Sequence, residues 1–227
     1  MMAVLMLRLA APMQSWGTDS KFEVRKTNRE PTKSGVVGLL AAALGARRDQ
    51  TEILRRLNKL RIAVRVDREG TLLRDFHTAK SDKTSYVTRR YYLSDAVFLV
   101  GLEDEDEEYL RSLEHALRNP AFPLFLGRRS CPPTLPLCLG MRDGSLEQAL
   151  RAEPSLVPVC RGDTKKRKIR VLLETGPEAP GAVVQQDLPL SFSPEHRQYG
   201  YRAVREEVWD TVPLPEPTEH DPFEELR

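Results

Sequence analysis

The stretch Met13–Gly45, MQSWGTDSKFEVRKTNREPTKSGVVGLLAAALG, decides how the first half of this chain folds. It follows the apolar run Ala3–Leu9, which is typical of a buried strand and is bounded by Pro12. After a basic loop, a helix is predicted to begin at Thr32 or Ser34 and to end at Gly45. The helix is so apolar that it must pack flat on a sheet. The loop and the helix N-terminus therefore meet at one end of that sheet, where they can bind an anion.

Two glycines, Gly35 and Gly38, lie three residues apart on the predicted helix. Each costs about 1 kcal/mol of helix stability relative to alanine. We expect close packing of the helix or close approach of a ligand to compensate for this cost.

The rest of the chain predicts an α+β fold. After a short second helix, Arg61–Asp67 and Ala96–Leu102 have the pattern of strands. The acidic run that follows begins a helix with the apolar stripe Leu110, Leu113 and Leu117, and FPLFLG, residues 122–127, is predicted to be a fourth strand. The order β-α-β-β-α-β is the ferredoxin-like, or RRM-like, plan.

Three regions are predicted along the chain. Residues 1–131 form the ferredoxin-like domain, in which the span of about residues 71–91 is too long for a simple hairpin and must project. Residues 132–215 form a smaller β-rich region, with a short helix at SLEQALRA and strands at IRVLLET and AVVQQDLPLSF. Residues 216–227 are expected to be a flexible acidic tail.

Charge is distributed unevenly along the 227 residues, although the net charge is only +2. Residues 1–60 carry eleven Lys or Arg against five Asp or Glu, and Arg161–Arg170 carries six bases and one acid. Basic patches of this kind match a phosphate backbone. Arg161–Arg170 is equally consistent with a solvated loop.

Metal, cofactor and membrane classes find little support. Cys131, Cys138 and Cys160 form no CxxC motif, and the four histidines are scattered. No apolar run approaches the roughly 20 residues that a membrane span needs, and no signal peptide pattern is present. We expect a cytoplasmic protein without a cofactor or a metal.

RNA binding is the function that the residues favour. Phosphates are held by Arg, Lys, hydroxyl groups and helix N-termini, and unstacked bases stack on aromatic or guanidinium planes. The first loop and helix start supply Gln14, Trp16, Lys21, Arg25, Lys26, Arg29, Thr32, Lys33 and Ser34, and the predicted fourth strand ends at Arg128, Arg129 and Ser130. The alternatives stay open: Trp16 as a core anchor, Thr32 and Ser34 as caps, and Arg128–Arg129 as a solvated turn.

Two other functions remain possible from the residues. A metal-independent endoribonuclease needs only a general base and a general acid near a 2′-hydroxyl, which His77 with Lys80 and Tyr86, or His196 with Tyr199, could supply. The simpler interpretation of His77 is a hydrogen-bonded or RNA-contacting residue. A generic RRM-like protein is disfavoured because its characteristic aromatic motif is absent from the predicted central strands.

Several segments together resemble a known family. The matching elements are LRLAAPMQSWG, NREPTKSGVVGLLAAALG, RDFHTA, RRYYLSDAVFLVGL, FLGRRSCPP and DLPLSFSPEHRQYGYRAV. In this order they resemble the CasD subunits of the CRISPR surveillance complex Cascade, subtype I-E, within the RAMP superfamily of CRISPR-associated proteins.

The resemblance implies a ferredoxin-like body with a β-hairpin thumb between its second and third core strands. It also implies a non-catalytic subunit that caps the 5′ handle of CRISPR RNA and so contributes to antiviral defence by RNA-guided DNA recognition. Expected partners are the RNA, the adjacent backbone subunit, the large PAM-recognising subunit and, through the complex, target DNA. In a related subtype such proteins cleave precursor RNA, whereas in subtype I-E a separate subunit does so.

The resemblance also implies the residues of the handle site. Those from the first loop are Gln14, Trp16, Arg25 and Arg29, and those that would hold phosphates at the helix start are Thr32, Lys33, Ser34 and Gly35. Arg128, Arg129 and Ser130 would form the opposite side, with His77, Arg89 and Arg90 in the thumb or at its base.

Overall fold

A computed structural model describes residues 3–17, 23–81, 84–157 and 168–210 of the chain. Its helices are α1 (Lys33–Ala43), α2 (Thr51–Asn58), α3 (Glu107–Arg118) and α4 (Leu146–Ala152). Its strands are β1 (Ala3–Ala10), β2 (Met13–Gln14), β3 (Val24–Arg25), β4 (Arg61–Arg68), β5 (Thr71–Lys80), β6 (Ser85–Ser94), β7 (Val97–Asp104), β8 (Cys138–Asp143), β9 (Ile169–Thr175), β10 (Ala182–Ser191) and β11 (Gln198–Trp209). The fold is mixed α+β, as the sequence predicts.

Seven strands form the main sheet in the order β10-β11-β9-β4-β7-β1-β8. Every neighbouring pair in it is antiparallel. The strands β9, β10 and β11 extend the sheet that β1, β4, β7 and β8 begin, because β9 pairs directly with β4. The boundary predicted between residues 131 and 132 stays a prediction.

One strand prediction was wrong. Residues 122–127 form an irregular connection, and the fourth strand next to β1 is β8. The backbone groups of this connection have other partners: the N–H of Phe122 donates to the carbonyl of Ala42 at 3.2 Å, and the carbonyl of Leu126 accepts from Ser15 at 3.2 Å. The connection therefore crosses the C-terminal part of α1 instead of joining the sheet.

The sheet is covered on both faces. Residues from α1, α2 and α3 share a core with Leu5, Ile62, Phe98 and other residues of one face. The other face packs α4 against Val4, Leu99 and Leu173. A hydrophobic residue at every second strand position supplies each core, which is the expected consequence of the pleat.

A long hairpin projects from the base of the main sheet. β5 and β6 pair over ten residue pairs, from Thr71 with Ser94 to Lys80 with Ser85, and the short strands β2 and β3 add to β6. Phe76 and Val87 on this hairpin are more than half exposed. Among the described residues, no helix is both long enough and apolar enough to cross a membrane.

Candidate nucleic-acid interface

A groove of about 1290 Å³ runs along the outer side of α1. Its floor consists of small residues, Gly35, Gly38, Ala41, Ala42 and Ala46. One wall is the connection after α3, at Phe122–Gly127, and the other is formed by residues around the β10–β11 turn. Small floor residues leave the backbone of α1 open to a ligand.

Arginines and aromatic residues line this groove. The arginines are Arg25, Arg47, Arg48, Arg128, Arg129 and Arg197, and the aromatic residues are Trp16, Phe122, Phe125, Phe192 and Tyr199. No Asp or Glu is among the lining residues, and none of these arginines forms an ion pair within the described part of the chain. An unneutralised row of guanidinium groups beside aromatic rings is chemically suited to a single-stranded polyanion that carries bases.

The N-terminus of α1 already has an anion. The carboxylate of Asp187 accepts the N–H of Lys33 at 2.7 Å, and the Oγ1 of Thr32, the N-cap, accepts the N–H of Gly35 at 3.2 Å. Asp187 comes from β10, which lies far away in sequence. The backbone N–H groups of Lys33 and Gly35 are therefore hydrogen-bonded within the protein, which leaves neither of them free for the predicted phosphate contact.

Lys33 lies inside the protein and not on the groove surface. Its side chain is 2% exposed, and its ammonium pairs with Glu174 at 2.7 Å and donates to the Leu60 carbonyl at 2.9 Å. Burial lowers the pKa of Lys33, and the charge of Glu174 opposes that shift. Arg202 completes the network by pairing with Asp187 at 2.6 Å.

Gln14 and Trp16 are also core residues. The amide of Gln14 donates to the Ala96 carbonyl at 2.7 Å and accepts from the indole N–H of Trp16 at 3.2 Å. Trp16 is 1% exposed, so only its edge reaches the groove. A Cβ on Gly35 would come within 2.7 Å of the Trp16 ring, which explains the glycine by packing. Ser34 lines the groove, with its Oγ 3.2 Å from that of Thr32.

The wall formed by the connection after α3 ends in two arginines with different roles. Arg128 donates to the carbonyls of Arg25 at 3.0 Å and Lys26 at 3.4 Å, and its guanidinium lies 4.6 Å from the centre of the Tyr92 ring. It therefore fastens β3 to β6. Arg129 is exposed, as is Ser130, and Arg129 lines the groove. Arg25 lines the groove as well, from β3.

Other predicted contact residues lie away from the groove. Arg29 is exposed on the connection before α1, and Arg89 is exposed on β6 with its backbone N–H bonded to Glu23 at 2.7 Å. Arg90 is half-buried on the neighbouring position of β6, with an Nε that has no partner among the described residues. These positions belong to the hairpin and its surroundings.

The residues of the two proposed acid–base groups lie on the hairpin β5–β6 and at the connection between β10 and β11. His77 on β5 lies 2.5 Å from the Asp75 carboxylate, and both side chains are 44% exposed. Tyr86 is paired with Ala79 and therefore lies on the same face of the hairpin as His77, whereas Lys80 points to the opposite face. His196 bonds to the amide of Gln198.

Sequence reasoning missed half of the groove. The sequence reasoning did not include Arg47, Arg48, Phe122, Phe192 and Arg197, although the pair Arg47–Arg48, close behind the helix stop at Gly45, was a usable signal. Lys21, Cys160, residues 161–167 and the predicted tail lie outside the described residues. Arg170 pairs with Glu30, Glu69 and Glu206 at 3.2, 2.6 and 3.1 Å, so three carboxylates neutralise its charge within the chain.

Comparison with known proteins gives the family. The protein-family model described as CRISPR-associated protein (Cas_Cas5) matches residues 4–205. The chain therefore belongs to this family of CRISPR-associated proteins. The Escherichia coli K12 protein "CRISPR system Cascade subunit CasD" is 41% identical over 160 residues, which cover 62% of this chain and 71% of that protein.

Two solved structures are similar over almost the whole chain. One, described as "CRISPR RNA-guided surveillance complex", has 33% identity and a TM-score of 0.77, and the match covers 92% of this chain and 90% of that one. The other, "Crystal structure of Cas protein", has 41% identity and a TM-score of 0.74, and covers 94% and 100%.

Proposed function

We propose that this protein is a non-catalytic subunit of a Cascade surveillance complex and that it binds the 5′ handle of CRISPR RNA in the groove along α1. Its similarity to a Cascade subunit and to a surveillance-complex chain supports membership of such a complex. The partners would be the RNA, the adjacent backbone subunit and the large PAM-recognising subunit, with target DNA reached through the complex. We expect it to act in the cytoplasm.

The strand arrangement supports a ferredoxin-like body with a thumb. The order β4-β7-β1-β8, with all pairs antiparallel, is what the β-α-β-β-α-β plan requires of its second, third, first and fourth strands. The hairpin β5–β6 leaves between the second and third of these strands. We assign it the role of the thumb, to which His77, Arg89 and Arg90 belong.

The observation that carries the proposal is the charge of the groove. Six arginines line it and no carboxylate does, although the whole chain has a net charge of only +2. Concentrating the positive charge at one concave surface attracts a polyanion, and release of its counterions supplies most of the affinity. The contact set that we propose is Arg25, Arg47, Arg48, Arg129, Ser130 and Arg197, with Ser34 at the floor.

A salt titration tests this function. The double variant Arg47→Glu/Arg129→Glu should bind the handle RNA at least tenfold more weakly at about 0.1 M salt. The slope of log K against log salt should fall by about 1.4, because each phosphate contact to a single strand contributes about 0.7. Arg111→Glu on α3 is the matched control, since Arg111 is exposed outside the groove. Equal binding by the double variant and the control would refute the groove.

Cleavage is tested separately. The protein should leave precursor CRISPR RNA uncut in EDTA, since Lys80 lies on the opposite face of the hairpin from His77 and Tyr86 and the predicted set of three is therefore incomplete. A specific cut that disappears in the His77→Ala variant would overturn the non-catalytic assignment.

A further inference from the structure

Gly38 lies in the middle of α1, where a glycine destabilises a helix relative to alanine. A Cβ built on it would meet only the Phe192 ring, at 3.8 and 4.0 Å, and these are ordinary van der Waals distances. Packing therefore does not require a glycine at this position.

Gly35, one turn earlier, is different. Its Cβ would come within 2.7 and 2.9 Å of the buried Trp16 ring, so its glycine has a structural reason. The two glycines on one helix face thus have separate explanations, and that of Gly38 must be sought on the open side of the helix.

The open side of Gly38 faces the groove beside two aromatic residues. Phe192 reaches over Gly38 from one wall, and Phe122 lines the same groove from the other wall and is 46% exposed. The backbone N–H of Phe122 donates to the Ala42 carbonyl, one helical turn beyond Gly38. The missing methyl group therefore deepens the floor between two aromatic walls.

We propose that Gly38 and Phe192 form a subsite for one unstacked RNA base. This inference rests on the proposed function. It specifies that the middle of the groove binds a base of the RNA and not a phosphate. Phe192 lies too close to Gly38 for a base to fit between them, so the face of the base stacks on the groove side of the Phe192 ring and its edge lies over the α1 backbone at Gly38. The rim arginines hold the flanking phosphates. Aromatic stacking of this kind takes any base, so it places the strand without reading its sequence.

Two variants and a series of abasic RNAs test the subsite in the full chain. Gly38→Ala and Phe192→Leu should each weaken handle binding about tenfold, with the fold monitored by circular dichroism. Gly38→Ala should leave the melting temperature unchanged or higher, so its loss of affinity is not a loss of folding. Gly176→Ala is the matched control, because a Cβ there meets nothing within 4 Å.

One abasic position should identify the bound base. Removing that base should weaken binding to the wild-type protein about tenfold and cause no further loss in Gly38→Ala or Phe192→Leu. The subsite is overturned if both variants bind like the wild type, or if every abasic position adds its full loss to theirs. Either result can occur while the rim charge reversals still weaken binding at least tenfold, in which case the groove stands and only the subsite fails.

Discussion

The two ends of the segment from Lys33 to Arg48 use their basic residues in opposite ways. At the first end, Lys33 is buried and its charge is neutralised by Glu174, while the adjacent Asp187 pairs with Arg202. At the second end, Arg47 and Arg48 line an open groove and have no carboxylate partner among the described residues. Position along a basic stretch therefore does not reveal which charges hold the fold and which are available to a ligand.

The largest effect should come from breaking the buried end. Lys33→Met keeps most of the side-chain volume but, within the described part of the chain, leaves Arg202 as the one cation paired with Glu174 and Asp187. Removing one partner of a buried pair typically costs about 3 kcal/mol or more in the free energy of unfolding. Urea denaturation measures the loss in the free energy of unfolding. The control is Lys59→Met, because Lys59 is an exposed lysine at the C-terminal cap of α2. A loss below about 1 kcal/mol would show that the network does not hold the sheet to α1.

The two glycines of α1 should separate by the sign of their effect. Gly35→Ala forces the Trp16 ring to move, which should lower the free energy of unfolding by about 2 kcal/mol. Gly38→Ala should raise it by up to about 1 kcal/mol, because the helix gains an alanine without a clash. Thermal unfolding of both variants measures these changes in stability. A similar change in both variants would contradict the different roles that we give to Gly35 and Gly38.

Arg128 should act through Arg25. Since its guanidinium holds the carbonyls of Arg25 and Lys26, Arg128→Lys keeps the charge but loses the planar pair of donors. We expect this variant to lose about 1 kcal/mol of RNA-binding free energy and Arg25→Ala to lose a similar amount. The double variant should lose little more RNA-binding free energy than either single variant, which a double-mutant cycle of RNA affinities measures. Fully additive losses would make Arg128 an independent contact.

The smallest effect concerns pH. Burial raises the pKa of Glu30 above its ordinary value, and hydrogen bonding to Arg170 opposes the shift. A carboxyl group with a raised folded-state pKa favours folding when it is protonated, and this contribution is lost as the pH rises through that pKa. Glu30→Gln should therefore match the wild type below pH 4 and become slightly more stable than it toward pH 7. Chemical denaturation at both pH values measures the difference in stability between the variant and the wild type. A variant that becomes less stable than the wild type toward pH 7 would contradict the raised pKa of Glu30.

The sequence predicted local elements well and partners poorly. The helix with Thr32 as its N-cap and the strand at Ile169–Thr175 were predicted within two residues, because apolar periodicity and capping are local signals. The strand predicted at residues 122–127 failed because an apolar run with proline also suits a partly exposed connection that packs on a helix. Of the predicted site residues, Arg25 and Arg129 line the groove, whereas Gln14 and Lys33 lie in the core.

By itself the sequence determined that this chain forms an α+β protein, with a basic loop leading into an apolar helix, and it carried enough family motifs to indicate a CRISPR-associated protein. Only the tertiary structure decided which of the basic residues face solvent. The reason is physical: Asp187 reaches the helix N-terminus across 154 residues of chain, and Glu174 reaches Lys33 across 141. A buried charge must be paired, and the pairing of residues so distant in sequence exists only in the folded protein.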